Sequence, residues 1–503
     1  MSDATRAWLG IDCGTQSTKA LLLDDDGAQL AIGRVDHELI SRPDGTREQD
    51  PAWWIAAAVV AVRQAVAAAP GAAVAGIAVS GQQHGLVALD DADRPVRPAK
   101  LWNDTTTAVD CVALTERMGG EAAVHDATGN LFLPGYTAPK VEWLRRAEPA
   151  SYARASRFCL PHDWLNLWLT GSFATEAGDA SGTAYLDVHS RAYAPAVLAA
   201  IDPERDWPTA LPPVQRDDEP IGRLRREAAD ALGVPVGTPV APGGGDNMCA
   251  AIGVGAVVEG LAVMSLGTSG TVFGYAPSPA VDPLREVSAF CDSTGAWLPL
   301  ACVLNCTVPL DWARALFGLH HEAFDTLVET VPPGARGLTF VPYLDGERTP
   351  NLPDASGSLL GLRATHGPPE IARAVLEGVT AGMANAVTAF RRTGPVAHEL
   401  LLVGGAAGSD TWGRLLADWL DVPVARPALA EAAAHGAAIQ AAHVIGGAPL
   451  ARRVATDARW EPRRDGAILE LAASRASERF DGASERLDAP SAIAGAAAAA
   501  RRV

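Results

Sequence analysis

Positive charge is scarce in this sequence. Its 503 residues include 41 lysines and arginines against 59 aspartates and glutamates, which gives a formal net charge of −18. Because nothing resembles a basic stripe, a nucleic-acid-binding surface is not expected. A polyphosphate ligand would need local help from backbone dipoles and a metal ion.

Cysteine is also scarce, and none of the seven cysteines forms a Cys-x-x-Cys pair. An odd number of scattered thiols is typical of reduced, mostly buried cysteines, so we expect a cytoplasmic protein. Cys302 and Cys306 lie close together in the sequence, but no histidine pair accompanies them at metal-ligand spacing. We therefore place both in a core.

Targeting and membrane signals are missing as well. No secretory signal is visible, and no apolar run approaches the roughly 20 residues that a membrane-spanning helix needs, so no membrane partner is expected. The sequence also has no P-loop and no protein-kinase signature set, which excludes these two phosphotransferase classes. The alanine-rich residues 492–503 are expected to form a short helix with frayed ends.

The sequence does have enough apolar material for more than one core. Hydrophobic residues make up 48% of it and charged residues 20%. A chain of this length usually folds as two domains of roughly 250 residues each. We place the boundary near residues 243–249, which gives domains at 1–247 and 248–503. The proline- and charge-rich residues 203–220 are expected to form an exposed connection.

The order of elements is mixed α/β. The first hundred residues predict three strands, a helix and a fourth strand, and the helix begins where Asp50 and Pro51 supply an N-cap and a first-turn proline. The second half repeats the pattern more loosely. It has predicted strands at 261–265, 271–275 and 399–403, and predicted helices at 303–317, at 368–392 and, capped by Ser409, at 410–420.

Two short glycine–threonine turns are the most informative feature. Gly14-Thr15 and Gly267-Thr268 each follow an apolar run and precede a second one, which predicts strand, tight turn and strand twice. Glycine allows close approach of the backbone, and successive N–H groups and hydroxyls can cradle an anion. A single turn of this kind is common in ordinary β-hairpins and indicates no ligand. Two in matching contexts indicate a duplicated domain that binds a phosphate-bearing ligand.

Asp12 lies at the end of the strand that enters the first turn. A carboxylate there repels phosphate but is suited to hold Mg²⁺, directly or through water, because hard cations take oxygen ligands. Lys19, at the start of the following strand, could offset phosphate charge. The alternative for Asp12 is an aspartate that only caps the turn.

Asp246 follows three glycines in the stretch Gly-Gly-Gly-Asp-Asn at residues 243–247. Glycines leave the backbone flexible and free of side chains, which suits an acid that must reach a substrate. Phosphoryl transfer to an alcohol needs a group that takes up the hydroxyl proton, and an aspartate can do so. Taken alone, the segment is more typical of an ordinary turn, and its place at the domain junction leaves both interpretations open.

Two further segments indicate a polyhydroxylated ligand. Gln83 and His84 follow a predicted buried strand, and such positions in α/β folds commonly face the ligand crevice. Trp102 and Asp104 offer an aromatic plane beside a polar group, a pairing that suits a sugar. A structural histidine and a buried tryptophan are the alternatives.

With these residues assembled, the chain resembles the FGGY family of carbohydrate kinases, within the actin, hexokinase and Hsp70 group of ATPases. The resemblance extends from Trp8 to about Gly447, which is nearly the whole chain. The two family signatures are matched at residues 136–144 and at residues 357–362 with 370–377. Within the family, the likeness is to a branch that acts on a ketose, through residues 101–104, 243–247 and 346–350.

The resemblance implies a role for each candidate residue. Asp246 would accept the proton, Asp12 would be the carboxylate linked to the metal, and both would lie beside Mg²⁺. The implied ketose-binding residues are Gln83, His84, Trp102, Asp104, Asp246 and Asn247. The implied ATP-binding residues are Thr15, Ser17, Lys19 and Thr268 at the phosphates and Gly404, Gly405 and Ser409 at the nucleoside. Gln83 departs from this branch, which often carries methionine there, so the ketose that fits is left open.

The implied fold is two ribonuclease-H-like α/β domains, each with a five-stranded mixed sheet, around a central cleft. The implied activity is ATP-dependent phosphorylation of D-xylulose at its C5 hydroxyl with Mg²⁺ as cofactor, and a homodimer is compatible with the family. Two alternatives stay open. One is a kinase of this family for another ketose or polyol, such as ribulose or glycerol, and the other is a non-enzymatic actin-like ATP switch.

Overall fold

The computed structural model describes residues 5–344 and 346–464 together with Ile468. The alanine-rich residues 492–503, for which the sequence predicts a helix, lie outside the described residues. The chain divides into two compact units. The first comprises Met1–Glu259, Gly274–Pro299 and Leu429–Val454, and the second comprises Gly260–Phe273, Leu300–Ala428 and Ala455–Val503.

A single division after residue 247 does not describe these units. Helix Asp246–Gly253 packs closely against helix Ala432–Gly446, so a late segment of the chain returns to the first unit. Where the two helices cross, a Cβ added to Gly436 would lie 1.7 Å from the carbonyl oxygen of Cys249. This backbone contact keeps residues 248–259 in the first unit.

The first unit is built on a seven-stranded mixed sheet. Thr5–Cys13, Ser17–Leu23 and Gln29–Asp36 are joined by antiparallel pairing, and Ala72–Gly81 lies parallel to the first of them. The order of elements predicted for the first hundred residues is therefore confirmed. The other three strands of this sheet are Gly222–Arg223, Pro239–Val240 and Gly244–Gly245, so it has seven strands rather than the five expected.

Both faces of this sheet are covered, because successive strand residues point to opposite sides. Leu9 belongs to one core together with Trp54 of helix Pro51–Ala68. Trp8 belongs to the core on the other face, which contains helix Ala432–Gly446. A strand buried on both faces has a continuous apolar sequence rather than an alternating one.

Helix Pro51–Ala68 begins as predicted, with Asp50 accepting a hydrogen bond from the Ala52 N–H. It also corrects one expectation. Among the described residues it is the one helix that is long and apolar enough, by length and composition alone, to cross a membrane. Core helices pass the same test, and Trp54 and Ala61 of this helix are buried against the sheet.

The second unit contains a sheet that begins in the same way. Its strands lie in the order Leu300–Val303, Gly270–Gly274, Gly260–Leu266, Ala397–Val403, Val424–Pro427 and Thr456–Trp460, again more than the five predicted. The Gly14 N–H donates to the Ser17 carbonyl at 3.1 Å, and the Gly267 N–H donates to the Ser269 carbonyl at 3.3 Å. Both predicted strand–turn–strand segments are thus confirmed.

Local predictions in the second unit hold with one correction. Helices Pro368–Arg392 and Asp410–Leu420 have the predicted bounds, and Ser409 caps the latter. The helix predicted at 303–317 begins only at Val308, because Leu300–Val303 is a strand that pairs with its neighbour in the sheet.

Residues 203–220 are less exposed than predicted. They include the short helix Trp207–Ala210, and Trp207 and Leu211 are buried. Asp217 forms a 2.9 Å ion pair with Arg191. The segment is therefore part of the packed first unit.

The remaining elements are short. In the first unit the other helices are Ala108–Arg117, Glu121–Thr128, Thr137–Ala147, Pro149–Arg154, Pro161–Thr170, Ala177–Ser181, Pro195–Ile201 and Arg226–Leu232, and the other strands are Ile40–Ser41, Arg47–Gln49, Val87–Leu89, Ala99–Lys100, Arg157–Cys159, Leu186–Asp187, Ala192–Tyr193 and Val287–Ser288. In the second unit they are the helices Val308–Phe317 and His321–Glu329, the 3₁₀ turns Ala335–Gly337 and Gly405–Gly408, and the strands Thr339–Val341 and Ser358–Leu360. All seven cysteines are free and buried, Cys302 and Cys306 included, as predicted.

The crossing of helices Asp246–Gly253 and Ala432–Gly446 yields a prediction about stability. Gly436→Ala should reduce the free energy of unfolding by about 1–3 kcal/mol, because the added methyl group meets backbone atoms that cannot turn away. Gly71→Ala is the matched control, since nothing lies within 4 Å of a Cβ added there. Equal melting temperatures of the two variants in scanning calorimetry would contradict the prediction.

Candidate active site

Adjacent strands bring polar residues together at one edge of the first unit's sheet. Asp12 is paired with Ser80 across the parallel strands, and Ser80 is paired with Gly244. The Ser80 hydroxyl donates a 3.0 Å hydrogen bond to Oδ1 of the buried Asp12 carboxylate. This contact and the approach of Lys19 involve side chains from neighbouring strands, which is not the geometry of an aspartate that caps its own turn.

Lys19 lies between two carboxylates. Its Nζ is 3.4 Å from Oδ2 of Asp12 and 2.9 Å from Oε2 of Glu431. Burial disfavours the charged ammonium, but the negative charges of Asp12 and Glu431 outweigh burial and raise the pKa of Lys19. Lys19 is therefore a cation at neutral pH and can offset the charge of a phosphate.

The glycines before Asp246 are packed rather than flexible, which corrects the expectation from the sequence. Gly244 and Gly245 form a short strand against Ala72–Gly81. A Cβ added to Gly243 would lie 2.0 Å from the Val79 carbonyl oxygen. Glycine is needed here for close approach to a neighbouring strand, and the result is a rigid support for Asp246, which begins helix Asp246–Gly253.

Asp246 has a carboxyl group whose pKa is well above its ordinary value. Burial and the nearby charge of Asp12 raise the pKa of Asp246 to about 7. Asn247 opposes this shift, since its backbone N–H and its side-chain amide both donate to Oδ1, at 2.8 and 3.0 Å. Two donors on Oδ1 leave Oδ2 as the oxygen that can take up a proton. A carboxyl with a pKa near the working pH suits proton transfer.

Gln83 is buried next to Asp246 and its neighbours. Its Oε1 accepts a 2.8 Å hydrogen bond from the Asn247 amide, and its side chain lies against Gly245, where an added Cβ would be 2.7 Å from Cγ. Its Nε2 has no hydrogen-bond partner in the described part of the chain. Gln83 is thus joined to Asp246 through Asn247.

His84 follows Gln83 in the left-handed region, with φ of 67°. Its half-buried imidazole packs edge-on against the Tyr136 ring, with 4.8 Å between the ring centroids. A histidine held in this conformation, directly after Gln83, lies at the predicted place beside the strand end.

Trp102 and Thr15 belong to one chain of hydrogen bonds. Trp102 is 37% exposed, so it is not a buried core tryptophan. Its Nε1 donates to the Thr15 hydroxyl at 2.9 Å, and that hydroxyl donates to Gln82 at 3.0 Å. With its hydroxyl occupied in this way, Thr15 would reach phosphate through backbone N–H groups of its turn. Ser17 is buried in the strand after the turn.

Asp104 has a different task from the predicted one. It is fully buried. Its Oδ2 accepts from Lys100 and from the Arg47 N–H at 2.8 and 2.9 Å, and its Oδ1 accepts from the Thr106 hydroxyl and N–H at 2.6 and 3.0 Å. Burial is outweighed by these donors, which lower the pKa of Asp104. A carboxylate with four internal donors has no free site for a sugar hydroxyl, and it serves to fix the loop that carries Trp102.

The remaining candidates lie in the second unit. Thr268, Gly404 and Gly405 are exposed, and Gly404 follows the strand beside Gly260–Leu266, so the glycine-rich turn and the second glycine–threonine turn are neighbours. A Cβ added to Gly404 would be 2.8 Å from the Leu266 carbonyl oxygen, whereas Gly405 has open space around it.

Ser409 does not have a free hydroxyl. It donates to Oδ2 of Asp325 at 2.6 Å and accepts from the Trp412 N–H at 3.1 Å. The predicted contact with a nucleoside therefore does not fit its hydroxyl, which acts as an N-cap for helix Asp410–Leu420.

The carboxylates of the first unit suit a shared cation better than a closed metal site. Among the described residues, no group of three or more histidine, cysteine, aspartate or glutamate side chains is arranged to hold a metal ion. Mg²⁺ is commonly bound by one or two carboxylates together with water and substrate phosphates. Asp12 and Asp246 fit that donor set, since their mutual repulsion would be relieved by a cation.

Sequence reasoning did not identify Ser80 or Glu431 as members of this site. Ser80 is an ordinary strand residue by its local sequence, and only the pairing of three strands brings it to Asp12. Glu431 lies in an alanine-rich stretch far along the chain, and its contact with Lys19 depends on the return of residues 429–454 to the first unit. Ser80 opens the polar segment that contains Gln83 and His84, whereas the sequence around Glu431 carries no such signal.

Two family models match the chain. The model of the FGGY family of carbohydrate kinases, N-terminal domain, matches residues 7–253, and the model of its C-terminal domain matches residues 262–445. Together the two models cover most of the sequence, and the match to the N-terminal domain precedes the match to the C-terminal domain.

Two relatives and one solved structure are similar to this chain over most of its length. The chain is 41% identical to the xylulose kinase of Haemophilus influenzae over 442 residues, which covers 86% of this chain and 90% of that one. It is 40% identical to the xylulose kinase of Streptomyces rubiginosus over 475 residues, 94% of each chain. The crystal structure of the xylulose kinase from Bifidobacterium adolescentis is similar with a TM-score of 0.82 at 32% identity, covering 94% of this chain and 99% of that one.

The opposite pKa shifts of Asp246 and Asp104 predict opposite effects on stability. The pKa of Asp246 rises on folding from 3.8 to about 7, so the folded state holds its proton more tightly and loses stability as the pH rises through that window. Asp246→Asn should therefore stabilise the protein at pH 8, by about 1–3 kcal/mol, and have little effect at pH 4.

Asp104→Asn is the matched comparison. The pKa of Asp104 is lowered on folding, so its contribution to stability is present above its unfolded pKa and is lost as the pH falls. This variant should destabilise the protein at pH 8, by about 3 kcal/mol, because Lys100 loses the nearer of its two buried carboxylate partners and keeps only Glu48 at 3.3 Å. Melting curves from pH 4 to 8 check both signs, and a loss of stability in both variants at pH 8 would contradict the assignment of Asp246.

Proposed function

Because this chain belongs to the FGGY family of carbohydrate kinases, we propose that it transfers the terminal phosphoryl group of ATP to D-xylulose. Membership of the family makes it an ATP-dependent sugar kinase with the two-domain α/β fold of that family. The choice of D-xylulose rests on one observation, the 41% and 40% identity to two xylulose kinases over most of the chain. The products are D-xylulose 5-phosphate and ADP.

Asp246 acts as the general base. The C5 hydroxyl oxygen forms a bond to the γ-phosphorus, the bond from that phosphorus to the ADP oxygen breaks, and the hydroxyl proton passes to Oδ2 of Asp246. The pKa of about 7 supports this role, since the carboxylate is present at neutral pH and still basic enough to take the proton. The rigid Gly244–Gly245 strand before it keeps the carboxyl in place.

Mg²⁺ would be held by Asp12 together with water and the phosphates of ATP, with Asp246 beside it and Oδ2 of Asp246 left to take up the hydroxyl proton. When bound, it supplies positive charge that stabilises the phosphoryl group during transfer. Lys19 adds a second positive charge beside Asp12, at 3.4 Å from its carboxylate. The Thr15 N–H of the first turn would bind phosphate, since the Gly14 N–H already donates to the Ser17 carbonyl, and backbone N–H groups of the turn at Thr268 would do the same.

The ketose is bound by polar groups next to the base. Gln83, His84 and Asn247 face it with amide and imidazole groups, and Trp102 contributes an exposed aromatic plane. Gly404 and Gly405 lie against the nucleoside, where the absence of side chains allows close approach. The enzyme acts in the cytoplasm, which the seven free, buried thiols support. A homodimer stays a prediction that sedimentation velocity would test.

Loss of the base tests the proton transfer. Asp246→Asn should lower kcat by roughly 10²–10⁴ while the KM for ATP changes little, because the amide cannot accept the proton but fills the same space. Asn247→Ser is the comparison variant next to it, and it should keep far more of the turnover. Near-native turnover of Asp246→Asn in a coupled assay for ADP would assign the proton to another group.

A sugar panel tests the substrate. D-xylulose should give the highest kcat/KM among D-xylulose, D-ribulose, L-ribulose, xylitol and glycerol in the same assay. Gln83→Met should change the ranking of ketoses, because it removes the acceptor that holds Asn247 and both amide hydrogens. Preference of the native enzyme for glycerol would refute the xylulose assignment and leave the family assignment intact.

A further inference from the structure

His84 has a backbone conformation that costs free energy. A φ of 67° places it in the left-handed region, which residues other than glycine occupy uncommonly and at a cost in free energy. The strand before it ends at Gly81, so no regular structure demands this conformation. Some contact of His84 must therefore hold it there.

Two side chains hold the carbonyl group of His84. The Nζ of Lys140 donates to the His84 carbonyl oxygen at 2.7 Å, and the Thr137 hydroxyl donates to the same oxygen at 3.1 Å. Lys140 also donates to the carbonyl of Gly135, so one ammonium joins two separate stretches of backbone. Both donors come from the first turn of helix Thr137–Ala147.

The same region shapes the space for the imidazole. The Tyr136 ring meets it edge-on, and the Phe290 ring lies on another side with 5.6 Å between the centroids. A Cβ added to Gly182 would be 2.2 Å from Nδ1 of His84, so only glycine leaves room for the ring. Backbone and ring are thus both fixed by neighbours outside its own segment.

Lys140 is poorly placed to stabilise its own helix. It is fully buried, and burial lowers its pKa well below the ordinary value for lysine. It also lies in the first turn of helix Thr137–Ala147, where the helix dipole disfavours a cation. A lysine side chain buried at a helix N-terminus, with its charged form disfavoured, is a cost to folding that its hydrogen bonds to backbone carbonyls offset.

We propose that Lys140 is a positioning residue for substrate binding: its Nζ amino group, with the Thr137 hydroxyl, holds the His84 backbone in the left-handed conformation that directs the imidazole to the sugar. This inference rests on the proposed function in one respect, the contact of His84 with the ketose. It also gives a physical reason for the lysine in the family signature at residues 136–144.

The first test is kinetic. Lys140→Met keeps the length of the side chain and removes the donor, and it should raise the KM for D-xylulose by about tenfold or more, the effect of losing one hydrogen bond from a charged donor. The KM for ATP should change by less than about twofold, because the ATP-binding turns do not contact Lys140. Thr137→Val, which removes only the second donor, should act in the same direction with a smaller effect.

The control is Arg145→Met on the same helix. Arg145 is paired with Glu142 at 3.0 Å and does not contact His84. Its loss removes a cation from helix Thr137–Ala147 without touching the His84 carbonyl, so the KM for sugar should stay at the native value. Equal increases in Lys140→Met and Arg145→Met would overturn the proposal, because the effect would then come from the helix as a whole.

A double-mutant cycle separates positioning from a structural role. Lys140→Met should have almost no further effect on the KM for sugar in the His84→Ala background, because the imidazole that it positions is already absent. Full additivity of the two substitutions would show that Lys140 acts on something other than His84 and would overturn the proposal.

Crystal structures of native and Lys140→Met protein give a test that needs no substrate. In the variant, residue 84 should leave the left-handed region and the imidazole should move away from Gly182. An unchanged φ and ring position would overturn the inference whatever the sugar specificity. Absence of activity on D-xylulose in the native enzyme would instead refute the proposed function, so the two failures are distinguishable.

Discussion

The repulsion between the carboxylates of Asp12 and Asp246 is the interaction on which the site depends. It exists because parallel strands place Asp12 beside Ser80 and Ser80 beside Gly244, two residues before Asp246. Burial strengthens the repulsion by excluding water. Burial of the Asp246 carboxyl and, after it, this repulsion raise the pKa of Asp246 to about 7, and the two carboxylates form a pair of oxygen donors that a divalent cation would stabilise.

Several neighbours moderate this repulsion without removing it. Ser80 donates to one oxygen of Asp12, and Lys19 approaches the other. Glu431 shares the positive charge of Lys19 at 2.9 Å, so Asp12 is only partly neutralised. Asn247 donates twice to one oxygen of Asp246 and leaves the second available. The site therefore retains negative charge that is unfavourable for folding. Such a cost in stability is typical of functional sites.

The two family signatures have different physical roles. In the first, Lys140 and Thr137 act on the backbone of His84, a residue of the site. In the second, Glu370 accepts from the Gly367 N–H at the start of helix Pro368–Arg392. Further along that helix, Glu377 accepts from Arg373 and from the Gly334 N–H. The second signature thus stabilises the long buried helix Pro368–Arg392 of the second unit. Its buried charges are paired with one another, as are those of Asp104 and Lys100, and this pairing is structural.

The sequence by itself determined the elements whose signals are local. The cap at Asp50, the bounds of helix Pro368–Arg392 and the two glycine–threonine turns follow from neighbouring residues, because caps, periodicity and tight turns are short-range effects. The two family signatures were likewise recognisable from the sequence, which also singled out Asp246 as a candidate. Only the tertiary structure decided that Asp104 is buried and paired, that the glycines at 243–245 are rigid and that Glu431 contacts Lys19. The physical reason is that burial and charge interactions depend on residues distant in the chain, which local sequence does not encode.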